Sequence, residues 1–106
     1  MAYRIANGYF QTVNGTPVVA KPVSMPHTDW QAPGGKPYGV VFHYTVGCND
    51  DISGTLGSNS FGGATFNVGK TGTIYQYAPL QVATFHCFHE SHFYYGIEHT
   101  ANPGNG

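Results

Sequence analysis

The sequence predicts an α/β domain built on a mixed, mostly β sheet flanked by helices, with much of the helical complement absent. Gly39 to Val46 carries the first observation: an apolar, β-branched run with Val40, Phe42 and Tyr44 on one face and Val41, His43 and Thr45 on the other. Both faces hold apolar residues, which predicts a strand central in its sheet. The second observation is a pair of runs, Gly63 to Val68 and Thr73 to Tyr77, joined by Gly69-Lys70-Thr71-Gly72. Two short runs around a glycine-bounded turn predict a β-hairpin. The third is the polar stretch Cys48 to Ser60, where Asn49, Asp50 or Asp51 can cap a short helix through Leu56. Gly54 and Gly57 weaken that helix.

The remaining elements follow from punctuation. Tyr9 to Val13 and Thr16 to Val23 flank Asn14-Gly15, a hairpin signal. Pro22, Pro26, Pro33 and Pro37, with Gly34-Gly35, predict an irregular connector from Pro22 to Pro37. Residues 1–38 therefore read as an N-terminal extension, and 39–106 as the part that carries chemistry. Val82 to Phe88 and Phe93 to Ile97 are further extended segments, and Pro79-Leu80 opens a turn or short helical piece. Asn102 to Gly106 has no core content.

Composition narrows the function. The 106 residues fit one domain with a single modest core. Net charge is -1, and the four cations, Arg4, Lys21, Lys36 and Lys70, are scattered. No basic stripe exists to neutralise phosphates, which excludes a nucleic-acid partner. Charged residues make up 8%, against roughly 25% in an average domain, while aromatics reach 15%. That mix suits a turn-rich β surface for neutral polar ligands such as sugars or peptides. No run approaches the roughly 20 apolar residues of a membrane span. Met1 to Phe10 lacks a cationic start and apolar run, so no signal peptide is expected and synthesis in a cytoplasm is. Cys48 and Cys87 are too few for a disulfide framework. One bridge is open to them, but free thiols fit a reducing compartment better.

His43 alone is weak evidence, because a lone strand histidine is more often a satisfied core residue than a ligand. Three later segments add to it: Ala64-Thr65-Phe66-Asn67-Val68-Gly69-Lys70-Thr71-Gly72-Thr73-Ile74-Tyr75-Gln76, then Ala83-Thr84-Phe85-His86, then Tyr95-Gly96-Ile97-Glu98. In this order and spacing the four segments resemble the zinc-dependent N-acetylmuramoyl-L-alanine amidases. Those enzymes share a fold with the peptidoglycan-recognition proteins and are common among bacteriophage endolysins. The resemblance covers about Gly39 to Thr100. It rests on the ordered set, since no single motif is specific.

The resemblance implies roles residue by residue. His43 resembles the first zinc ligand. Glu98 resembles the general base and acid on the Gly-Ile-Glu strand. His86 matches the aromatic-His position lining the substrate groove, and Tyr44 and Thr45 would sit beside the zinc at its floor. Zinc and a carboxylate suit amide hydrolysis: the metal lowers the pKa of bound water to about 7 and polarises the carbonyl. The carboxylate takes the water proton and returns it to the leaving amine. The implied substrate is bacterial peptidoglycan, cut between N-acetylmuramic acid and L-alanine during cell-wall lysis.

There are departures. Thr65 stands where family members often carry a histidine, and Thr71 where an acidic residue often precedes the hairpin glycine. The segment after His43 is short and glycine-rich. The family's second zinc histidine and its third ligand, Cys or Asp, lie beyond the Gly-Ile-Glu strand. The chain ends at Gly106, so the expectation is an amidase-like domain truncated at the C-terminus, with one zinc ligand in hand. The alternative is a non-catalytic muropeptide-binding module. A weaker third reading is a phage structural or adhesion β-domain.

Other features read as structural. His86, Cys87, His89, Glu90, His92 and His99 cluster in sequence, but His89-Glu90-Ser91-His92 is one residue short of the His-Glu-x-x-His zinc motif. Groove-lining residues are the better reading there. Tyr75, Tyr77, Tyr94 and Tyr95 are expected to pack within the sheet rather than stack on sugars. Gly69-Lys70-Thr71-Gly72 lacks phosphate-loop spacing.

Overall fold

The structure is a computed structural model. It describes residues 2–25, 28–30, 37–45, 49–58, 63–84, 86 and 93–100, with Asp29, Trp30, Tyr44, Thr45 and Ser58 described by their backbone only. The elements run β1 (Tyr3–Ala6), β2 (Tyr9–Val13), β3 (Thr16–Ala20), β4 (Thr28–Trp30), β5 (Gly39–Thr45), α1 (Ser53–Ser58), β6 (Phe66–Val68), β7 (Ile74–Gln76), β8 (Val82–Thr84) and β9 (Tyr94–Thr100).

Seven strands form one mixed sheet in the order β1-β2-β3-β7-β6-β9-β5, and β4 pairs with β8 in a separate two-stranded sheet. The expected α/β fold flanked by helices is therefore corrected to a mostly β fold. Among the described residues α1 is the one helix, six residues long. Its sequence explains the brevity: Gly54 and Gly57 each cost about 1 kcal/mol relative to alanine inside a helix. Asp51 starts it by accepting a hydrogen bond from Ser53 N at 3.0 Å. The expected irregular connector also contains β4, which pairs antiparallel with β8.

Turn chemistry builds the N-terminal strands. Asn14 and Gly15 have φ of 50° and 81°, as a type I′ turn requires, and β2 pairs antiparallel with β3. Asn7 and Gly8 repeat the device at 54° and 83°, linking β1 to β2. β3 then runs parallel to β7, so residues 1–38 contribute three strands to the same sheet. The predicted hairpin forms as β6 and β7, antiparallel. It is closed by Gly69 N to Thr73 O at 2.8 Å, with Gly72 at φ 91°. Asp50 braces this turn, accepting from Lys70 N at 2.9 Å.

The core lies where α1 meets the end of β7. Met25, Ile52, Leu56, Ala64, Tyr77 and Ala78 are buried together, with Val23 and Tyr75 packed against them. Gln76, also fully buried, joins sheet to hairpin. Its Oε1 accepts from Phe10 N at 2.8 Å, and its Nε2 donates to Gly8 O at 2.9 Å and Ala78 O at 2.8 Å.

β5 is not central as its pattern predicts. It ends the sheet, paired only with β9 among the described strands. Phe42 is 73% exposed and Val40 43%. Two-sided apolarity here does not report two-sided burial. The Phe42→Thr variant is accordingly expected to unfold within about 0.5 kcal/mol of the parent in denaturant titration. A central position would instead cost about 3–5 kcal/mol for losing a buried Phe.

Candidate active site

Three sequence-predicted residues converge on one face of the sheet. β5 and β9 are parallel with His43 directly opposite Glu98, and β6 continues the row with Asn67 opposite Glu98. Residues in register across neighbouring strands share a face, so His43, Glu98 and Asn67 stand side by side. Two residues far apart in sequence are thus held about one strand spacing from each other. Tyr44 and Thr45 continue β5, opposite His99 and Thr100.

His86 reaches this row from the loop after β8. Its Nδ1 lies 3.1 Å from His43 Nε2, and its Nε2 lies 2.8 Å from Tyr94 O. A carbonyl only accepts, so His86 carries its proton on Nε2 and presents a lone pair on Nδ1. His43 Nε2–H then donates to it. Both ring nitrogens of His86 are thus engaged within the protein, where the resemblance would have one facing substrate. The rings meet edge to face, centroids 5.3 Å apart at 84°.

Gly96 makes this possible. A Cβ on Gly96 would lie 2.6 Å from His86 Cγ, closer than carbon atoms approach without displacement. The glycine of Gly-Ile-Glu is the bed on which the His86 ring rests. Gly96→Ala is expected to lift the ring off β9 and break its bonds to Tyr94 O and His43. Overpacking of this kind costs about 1–3 kcal/mol. Loss of the His86 Nε2–H signal in imidazole-detected NMR checks it; an unshifted signal would show that the ring does not lie on Gly96.

Electrostatics separate the two titrating groups. Burial pushes the Glu98 carboxyl above its ordinary value, and the nearby His43 partly offsets this. Burial pushes His86 below its ordinary value, opposed by the Tyr94 hydrogen bond and reinforced by His43. The site therefore favours a proton on Glu98 more, and on His86 less, than water does.

Asn67 is the residue that motif reading passed over. It is fully buried. Its Nδ2 donates to Asp50 O and, at 2.9 Å, to Thr100 Oγ1. Thr100 Oγ1 spends its own proton on Asn49 O at 2.9 Å. That chain fixes the amide orientation and leaves Asn67 Oδ1 as a buried acceptor with no partner among the described residues. Its position opposite Glu98 was the available signal, readable only once β6 and β9 are known to pair.

Cys48, Cys87, His89, Glu90 and His92 lie outside the described residues. His99 is exposed on β9, one residue along from Glu98 and so on the opposite face. Among the described residues no group of three or more His, Cys, Asp or Glu side chains is placed to hold one metal ion. No described helix is long and apolar enough to cross a membrane. No family model, curated protein or solved structure matches the chain.

Proposed function

We propose that this chain is a zinc-dependent peptidoglycan amidase, hydrolysing the amide between N-acetylmuramic acid and L-alanine as in phage-type cell-wall lysis. The observation that carries the reading is the direct register of His43 with Glu98 across β5 and β9. It sets an imidazole beside a carboxyl whose burial favours the protonated form. That pairing is what metal-assisted amide hydrolysis asks of its protein groups.

In this reading His43 is the group that would hold the cation. His43 is half-buried on a strand, its Nε2 directed at a second ring nitrogen. Zinc held there would supply an acidified water and a polarised carbonyl. Glu98 takes the proton of the attacking water and returns it to the alanine nitrogen as the amide bond breaks. A carboxyl with a raised affinity for protons holds that proton more readily between the two steps. His86 sets a second ring nitrogen, its Nδ1, 3.1 Å from His43 Nε2. Thr45, two positions along β5 from His43 and on the same face by register, would lie at the floor of the groove, while Tyr44 falls on the opposite face.

The test is turbidity loss of a cell-wall suspension, with zinc content measured on the same sample. Zinc near one per chain together with wall clearing is the expected result. Co-sedimentation with walls without zinc and without clearing would replace the enzyme with a muropeptide-binding module. Neither clearing nor co-sedimentation would leave a β-domain whose motifs match by chance.

A further inference from the structure

We propose that His86 is itself a metal ligand, so that His43 Nε2 and His86 Nδ1 together form a two-nitrogen site for a divalent transition metal such as zinc. The inference rests on the reading of His43 as a ligand, but not on any particular substrate.

The first ground is distance. Two nitrogens each about 2.0–2.1 Å from one zinc, at a tetrahedral angle, stand about 3.3 Å apart. His43 Nε2 and His86 Nδ1 stand 3.1 Å apart. The second ground is the hydrogen bond behind His86. A ligating histidine characteristically gives its other ring N–H to a carbonyl or carboxylate, which fixes ring and tautomer. His86 Nε2 does this to Tyr94 O at 2.8 Å, so the nitrogen facing His43 bears a lone pair whether or not metal is bound. The third ground is the seat cut for the ring: Gly96 leaves only the room that His86 fills.

Entry of the metal balances without losing a proton. The hydrogen that His43 Nε2 shares with His86 Nδ1 moves to His43 Nδ1, the other tautomer of the same neutral ring. Both ligating nitrogens are then free of protons. The remaining coordination positions go to water and substrate, and Glu98 keeps its role as acid and base. Asn67 Oδ1, a buried acceptor on the same row, offers a hydrogen-bond partner to a water or a protonated Glu98 there.

The experiment is titration of the whole chain with zinc chloride by calorimetry, and with cobalt chloride by visible absorption, for the parent, His43→Gln and His86→Gln. Denaturant unfolding of each metal-free protein serves as the folding control. Saturable one-to-one binding by the parent is expected. Each single variant should weaken it at least about tenfold, and His86→Gln should alter the cobalt ligand-field bands. A His86→Gln variant that folds and binds both metals as the parent does would overturn the proposal, as would a parent that binds neither. If His86→Gln should not fold, Gly96→Ala displaces the same ring and must weaken binding likewise. Binding is read apart from wall clearing. Metal lost in both variants without clearing by the parent supports this site and removes the amidase. Zinc-dependent clearing with His86→Gln binding unchanged does the reverse.

Discussion

Glu98→Gln is expected to slow wall clearing by about 10²–10⁴-fold, the range general acid–base groups contribute, while co-sedimentation with walls stays at the parent level. Glutamine matches the side chain in size but neither accepts the proton of the attacking water nor returns one to the leaving nitrogen. The carboxyl is half-buried on β9 beside His43, so no bulk water or buffer group takes over its role readily. Burial raises its proton affinity, so activity should depend on pH on its acid limb. The base form of Glu98 is needed to start the reaction and disappears as pH falls through the titration of its carboxyl. In Glu98→Gln that limb should vanish from the residual rate. Equal clearing rates in parent and variant would remove Glu98 from the chemistry.

Tyr77→Ala is expected to lose about 3–5 kcal/mol in denaturant unfolding, as other large core truncations do. Total stability of a domain is about 5–15 kcal/mol, so this change alone threatens folding. Among the described residues Tyr77 is the largest side chain with no exposure, and it packs in the core with Met25, Ile52, Leu56 and Ala64. Its ring stacks on Tyr75 at 6.2 Å and 7°. Its hydroxyl accepts from Ile52 N at 3.0 Å and donates to Asp51 Oδ1 at 3.3 Å. Burial pushes the phenol well above its ordinary value, so it remains a donor at any working pH. The phenol thus ties the lead of α1 to the sheet. Tyr77→Phe keeps the packing and orphans Ile52 N–H, at a cost of about 1–3 kcal/mol. The gap between the two variants separates packing from hydrogen bonding. If Tyr77→Ala matched the parent, the core would have to be elsewhere.

Much of the sheet was legible because its signals are local. Asn14-Gly15 specified the β2–β3 hairpin, and the glycine-bounded turn specified β6–β7. Asn7-Gly8 carries the same signal, yet β1 escaped: at four residues it is short, and it is exposed throughout, so no buried face marks it. β5 read correctly as a strand, but its apolar residues on two faces misplaced it at the centre. Position in a sheet is set by long-range pairing, which residue pattern does not encode. The flanking helices came with the family resemblance; among the described residues α1 alone forms, kept short by Gly54 and Gly57. At the site, the approach of His43 to Glu98 was foreseeable from two strands in one sheet. The closure of His86 onto His43 was not. It depends on the His86 ring resting on Gly96 and bonding to Tyr94 O, a meeting that no motif spells out.

The account stands or falls on the bond that is cut. Purified peptidoglycan should be incubated with the zinc-loaded chain and assayed for new termini. New free amino groups on L-alanine, without new reducing sugar ends, are the predicted result. Unchanged amino termini from a chain with zinc bound, or reducing ends in their place, would contradict it.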